Sequence, residues 1–284
     1  MCSARLSLMR GRRYGRSNVQ CPDPALVELS GVVLCRFGRC CLHPGRVRLM
    51  DGDDLAAAVA ALHGRDTDGD LCVPFLDMLP VTGVAISTVG NPFGSETICA
   101  SDAAAARLDE IQLDLGEGPC WEAIRTGSPV LVQDVQGAAS RRWPVALQGL
   151  QAAGLGAVFA FPMRFGALDI GAVDLYTDVP GALLAEHQAR AVALTAAVSR
   201  RVLRQALERA ESDADGRPVT DAGRYSRREV HQASGMLAAQ TDGDVDDSLL
   251  ILRGHAYAAG RSVRDLAADV VARVVDFTDH DAGS

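Results

Sequence analysis

The sequence predicts an α+β protein: an antiparallel sheet flanked by helices, a helical connector, and a small three-helix unit at the C-terminal end. Three observations predict it. Strand-like runs come in adjacent pairs joined by turn-forming residues, and helical patterns precede and follow them. A polar, turn-rich stretch over 212–223 then separates this region from three short helical patterns, each with its own start signal. At 284 residues, 48% of them hydrophobic, the chain has room for one large domain or two modest ones and is expected to be soluble and folded.

LAAAVAALH (55–63) has helical composition. GVAISTV (83–89) and ETICAS (96–101) read as strands joined by the turn cluster GNPFG, and 103–113 returns to helix. LGEGPC (115–120) is a Gly/Pro break, WEAIRTG (121–127) a short helix with a glycine stop, and PVLVQDV (129–135) a strand. A segment containing Trp and Arg leads to GLGAVFAFPM (154–163) and DIGAVDLYTD (169–178), two strands around the turn RFGAL. HQARAVALTAAVSRRVLRQALERAE (187–211) closes the region as a long helix. Its positions Leu194, Val198, Val202, Ala206 and Ala210 form one apolar stripe, and Val192, Leu203 and Leu207 a second. One stripe is expected to pack on the sheet; the other suggests the seam of a homodimer.

Charge and composition narrow the function. The net charge is −8, but residues 1–49 carry +7, residues 50–216 carry −12 and residues 217–284 carry −3. An acidic total argues against broad nonspecific nucleic-acid binding and leaves room for a local basic face. All 28 basic residues are arginine. With no lysine there is no P-loop GK[ST], no Schiff-base lysine and no kinase-type ATP lysine. Of eight cysteines, five lie in the first 41 residues, and Cys72, Cys99 and Cys120 are not spaced as a metal or redox pair. No apolar run is long enough for a membrane span, so a cytoplasmic protein is expected.

Residues 1–49 are rich in Arg and Cys and lack sustained periodicity. Arg12-Arg13 is not followed by the apolar region of a twin-arginine signal, and Leu34 stands where a lipobox needs a small residue. Cys35, Cys40, Cys41 and His43 have no standard zinc spacing. A disordered extension, or a start assigned too far upstream, is the expectation. The acidic runs 66–77 and 241–247 resemble calcium loops only faintly and read as solvated turns; Leu71 stands where an EF-hand needs Gly.

LDEIQLDLGEGPCWEAIRTGSPVLVQDV, then RWP, then GLGAVFAFPMRFGALDIGAVDLY resembles the GAF family of sensory domains over about residues 55–200. That resemblance implies a domain able to bind a small ligand, which these residues do not identify. No Ser-His-Asp, Cys-His or paired-carboxylate arrangement is evident, so no enzyme is expected; the only His of this region, His63 and His187, lie on its terminal helices. Cys120 begins a helix, where the dipole could lower its pKa, although a packed structural Cys is the more ordinary reading. Cys120, Trp121 and Phe161 form the candidate sensor pocket, with Trp143 as a further aromatic.

At the C-terminal end, Ser226 with Glu229, Asp244 with Asp247 and Ser262 with Asp265 are helix-start pairs. The apolar positions are helical, but so many are alanine that the core is thin, and dimer contact or docking on the long helix is expected. A DNA-reading helix-turn-helix is disfavoured because the third helix presents Asp265 and Asp269 beside Arg264 and Arg273. Basic and stacking groups lie instead on the first two helices: Arg224, Arg227, Arg228 and His231, then Arg253, His255 and Tyr257. Planar cations and an aromatic ring suit splayed RNA bases.

VHQASGMLAAQ and DDSLLILRGHAYAAGRSVRDLAADVV resemble the ANTAR domain, the RNA-binding module of transcription antiterminators. Gly235, Leu252, Arg253, Ala256, Val263 and Ala267 match its pattern; Ser234 departs from the usual Lys and Ser248 from the usual Ala. The resemblance, to GAF-coupled antiterminators of the actinobacterial type, implies a dimer that binds tandem RNA hairpins in leader transcripts and prevents a terminator from forming. The expected domains are a sensor with its connector at 50–211, a linker at 212–223 and an RNA-binding unit at 224–278. Arg227, Arg228, His231, Arg253, His255, Tyr257 and Arg264 are the candidate RNA contacts, with Gly235, Ala256 and Ala267 structural. Gly235 interrupts a helix at a cost of about 0.8–1.0 kcal/mol against alanine, which suggests a close-packing site first and an RNA approach second. A DNA-binding regulator with the same sensor and a protein-interaction module are the alternatives.

Overall fold

The computed structural model describes residues 52–64, 70–90, 93–139, 141–214, 227–241 and 243–277. The readings for residues 1–49, for Arg224 and for the Ser226 cap lie outside the described residues. The elements run α1 (Gly52–His63), α2 (Val73–Met78), β1 (Gly83–Thr88), β2 (Glu96–Ala100), α3 (Ala103–Leu115), α4 (Pro119–Thr126), β3 (Val130–Val132), α5 (Pro144–Ala152), β4 (Ala157–Phe165), β5 (Leu168–Thr177), α6 (Ala185–Ala214), α7 (Arg228–Thr241), α8 (Val245–Ala258) and α9 (Val263–Val271).

The strands form one antiparallel sheet in the order β2-β1-β5-β4-β3. Alternation along β4 assigns its side chains to two cores. Ala157, Phe159, Phe161 and Met163 join Phe75 of α2 and Leu194, Val198 and Val202 of α6 on one face. Val158 meets Leu108 and Ile111 of α3 and Leu147 and Leu150 of α5 on the other. Ala160 and Ala172 are small where Cys120 and Ala123 of α4 approach the sheet. With both faces covered, β1 and most of β4 and β5 read as near-continuous apolar runs.

On α6, Leu194 to Val202 packs on the sheet, whereas Val192 and Leu207 stay exposed at 50% and 57%. The helix runs to Ala214, three residues beyond its expected end. The solvated-turn reading of 66–77 fails in its second half: α2 begins at Val73, and Leu71, Cys72, Phe75 and Met78 are buried. Cys72 and Cys99, which are not spaced in the chain as a metal or redox pair, are disulfide-bonded. Antiparallel pairing sets Cys99 opposite Ile86 on β1, which carries it to the start of α2. Linear spacing cannot show that proximity.

The C-terminal helices close on Val230, Ala233, Leu237, Leu252, Leu266, Val270 and Phe277, with Ala256 and Ala267 buried among them. Asp244 accepts the Asp247 amide at 2.7 Å and Ser262 the Asp265 amide at 3.0 Å, as their start signals predict. Gly235 does not pack closely within the chain: a Cβ there would meet nothing within 4 Å. The buried face of α7 is Val230, Ala233, Ser234 and Leu237, and Gly235 lies off it. The three helices seat at the C-terminal end of α3 rather than on α6, in one compact unit with the sheet. Among the described residues no helix is long and apolar enough to cross a membrane.

Candidate functional site

The segment after β2 is held by side-chain bonds that explain its composition. Asp102 caps α3 by accepting the Ala104 and Ala105 amides. Gln112 is a hub: its amide donates to Asp174 at 2.7 Å, its Oε1 accepts the Cys120 amide at 2.8 Å, and its carbonyl accepts the Trp121 indole at 2.8 Å. Glu117 accepts the Val145 and Ala146 amides at the start of α5, and Glu122 accepts the Trp143 indole at 2.7 Å. Residues 112–122 are thereby locked between the sheet and α5.

This lock carries a docking surface. Asp114 accepts Arg227 Nη2 at 2.6 Å and the Val263 amide at 3.0 Å. Arg227 is only 3% exposed. Arg253 Nη2 donates to the Leu113 carbonyl at 3.0 Å, and its guanidinium lies 5.8 Å from the centre of the Trp121 ring. It sits over Gly116, whose φ of +66° ends α3 and where a Cβ would come within 2.9 Å of it. Burial lowers the Arg253 pKa, and the nearby Arg227 charge adds to this while Asp114 opposes it.

The seven candidate RNA contacts therefore divide. Arg227 and Arg253 face the sensor. Arg264 is half-buried and shares a hollow with Arg107, Glu110 and Arg227. Arg228, His231, His255 and Tyr257 are exposed; His231 approaches Gly94 in the β1–β2 turn, and His255 meets Phe277 edge-on at 4.8 Å. Asp114, the Leu113 carbonyl and Arg107 complete this surface. Sequence reasoning missed them because residues 103–118 read there as part of the sensor alone.

The candidate sensor pocket does not form one cavity. Phe161 belongs to the α6 face of the sheet, while Cys120 and Trp121 belong to the opposite face. The lowered thiol pKa considered for Cys120 is reversed: burial pushes it well up, and the Asp174 and Asp109 carboxylates push it further. Helix position cannot offset complete burial beside two acids. Those acids are an unforeseen feature. Asp109 is bonded by Thr97 and Asp174 by Gln112, yet each leaves one buried oxygen without a partner. Burial raises the pKa of both, and Asp109 raises that of Asp174 further.

No curated protein matches the chain. Among solved structures it is similar to the GAF domain of the cyanobacteriochrome TePixJ (18% identical, covering 48% of this chain and 87% of that one, TM-score 0.39). It is similar to the GAF domain from Acinetobacter phosphoenolpyruvate-protein phosphotransferase (11%, 58% and 97%, TM-score 0.39). A third is the type II free methionine-R-sulfoxide reductase from Thermoplasma acidophilum (15%, 55% and 96%, TM-score 0.34). The sequence model of the GAF domain family matches residues 54–201, the span from α1 through the sheet-packing part of α6. With that match covering more than half of its length, the chain belongs to the GAF domain family.

Proposed function

We propose that this GAF protein is a signal-responsive regulator whose C-terminal helices bind RNA hairpins in nascent transcripts and so control transcription termination, in the cytoplasm and without catalysis. The ANTAR resemblance of 230–271 supplies the RNA class. The observation that carries the coupling is the docking of Arg227 and Arg253, two of the candidate RNA contacts, on Asp114 and the Leu113 carbonyl of the sensor. An arginine held there is not offered to a phosphate, so the docked form binds RNA weakly and the released form binds it well. Arg228, His231, His255 and Tyr257 remain outside for first contact. The buried, high-pKa thiol of Cys120 is a poor nucleophile, which supports a non-catalytic role.

A homodimer fits the same reading. Val192 and Leu207 on α6, and Leu250 and Tyr257 on α8, are large apolar groups left exposed. The two α6 residues belong to the stripe set aside for a partner copy, whose third member, Leu203, packs instead against the core of the sheet.

The test is binding of the full chain to a tandem-hairpin leader RNA and to duplex DNA at two salt concentrations. RNA binding that weakens about tenfold from 50 to 200 mM salt, and that drops in an Arg228→Ala/Tyr257→Ala double variant, is expected. Preference for duplex DNA, or no salt-dependent nucleic-acid binding at all, overturns the reading.

A further inference from the structure

Between the sensor and the C-terminal helices lies a cavity of about 420 Å³. One wall is α3 and α5, with Ile111 and Val145 as apolar floor; the other is the end of α8 and the start of α9, with Ala256 and Val263. Three guanidinium groups line it, Arg107, Arg253 and Arg261, against a single carboxylate among the described lining residues, Asp114. That carboxylate is already engaged by Arg227 and the Val263 amide. Arg107 is paired with Glu110 at 2.9 Å and Arg261 with Asp269 at 2.6 Å. Arg253 differs. It donates to a neutral carbonyl, and its buried Nε has no hydrogen-bond partner.

From this geometry we infer that the cavity is a binding site for a small amphipathic anion, an aromatic or short aliphatic body bearing one carboxylate, with Arg253 as its charge partner. The size suits such a molecule, since ligand pockets span roughly 300–1,000 Å³ and are mostly apolar with a few placed polar groups. Arg253 is the lining guanidinium whose bond goes to a neutral carbonyl rather than to a carboxylate, so an ion pair with a ligand carboxylate there displaces no existing one. Its lining includes none of Cys120, Asp109 and Asp174, so the site is separate from the buried acids.

The cavity exists only while its two walls are together, so a ligand there holds the docked form. Its regulatory consequence rests on the RNA reading: anion and RNA each lower the affinity for the other by the same factor. Occupancy of the cavity does not rest on that reading.

The experiment uses the full chain with 2-naphthoate as probe and the neutral 2-naphthamide as control, followed by titration calorimetry. Two variants accompany it. Arg253→Gln removes the charge partner, and Ala152→Phe fills the cavity from an exposed position on its rim. Both are checked for unchanged helix content and for unchanged amide exchange at Val263, whose bond to Asp114 reports that the two walls stay docked. Naphthoate is expected to bind about tenfold or more tightly than naphthamide, and to lose about tenfold in affinity in each variant. Equal binding of acid and amide, binding undiminished in Ala152→Phe, or no naphthoate binding at millimolar concentration overturns the assignment. Naphthoate binding of the expected kind without hairpin-RNA binding sinks the antitermination reading alone, and RNA binding without naphthoate binding sinks the cavity alone.

Discussion

Asp174 shows how one residue couples composition to pH. It stands on β5 with 1% exposure, bonded to Gln112, and its pKa is raised by burial first and by Asp109 second from the ordinary 3.8. The native state therefore keeps protons that the unfolded chain has released. Its stabilising contribution is complete below the ordinary aspartate value and is lost as pH rises through the raised native value. Asp174→Asn keeps an acceptor for the Gln112 amide and removes the charge. Urea unfolding is expected to show a gain on the order of 1–3 kcal/mol at neutral pH and a shallower fall in stability from acid to neutral pH. An unchanged pH profile would mean that Asp174 does not hold the proton. Neither acid could be recognised from the sequence, where each is one of many aspartates on an amphipathic segment; only the meeting of α3 with β5 marks them.

At the scale of elements, the strands and the long helix were legible because their periodicity is long and their turns carry Gly and Pro, as in RFGAL between β4 and β5. Helix starts were legible where the cap is local, as at Asp244 and Ser262. What stayed hidden is non-local: α2 inside an acidic run, the Cys72–Cys99 bridge, and the seat of α7–α9 on α3. The bridge joins residues 27 apart, which on chain-entropy grounds contributes about 3.5 kcal/mol. Reductant is expected to lower the unfolding free energy by about that amount in the wild type and to have no effect on Cys99→Ser. The end of α9 offers a second check. Val274 donates to Asp269 and Arg273 to Val270, a Schellman ending, but its left-handed position is held by Arg273 at φ +58° where glycine is the usual choice. Arg273→Gly is expected to stabilise the C-terminal helices by about 0.5–1 kcal/mol, read as slower amide exchange across α9.

In the whole molecule the Asp114 carboxylate joins sensor to output. Asp114 ends α3 and reaches both the Arg227 side chain, before α7, and the Val263 amide that opens α9. A rigid chain that lost this carboxylate would leave a buried arginine uncompensated, at about 3–5 kcal/mol. A chain that can undock avoids most of that penalty by releasing the C-terminal helices into water. Their own core of Val230, Leu237, Leu252, Leu266 and Phe277 is expected to hold them folded on release, thin though it is. Asp114→Asn is therefore expected to leave both parts folded while separating them. Amide exchange at Val263 should quicken, and affinity for a tandem-hairpin RNA should rise about tenfold, within the usual span of coupling between sites. Asp246→Asn makes the same change in net charge on an exposed residue of α8, away from α9, and controls for electrostatics. If both variants gain RNA affinity equally, the gain is only relief of charge repulsion. If Asp114→Asn alone gains it together with faster Val263 exchange, the sensor governs the output by holding its arginines.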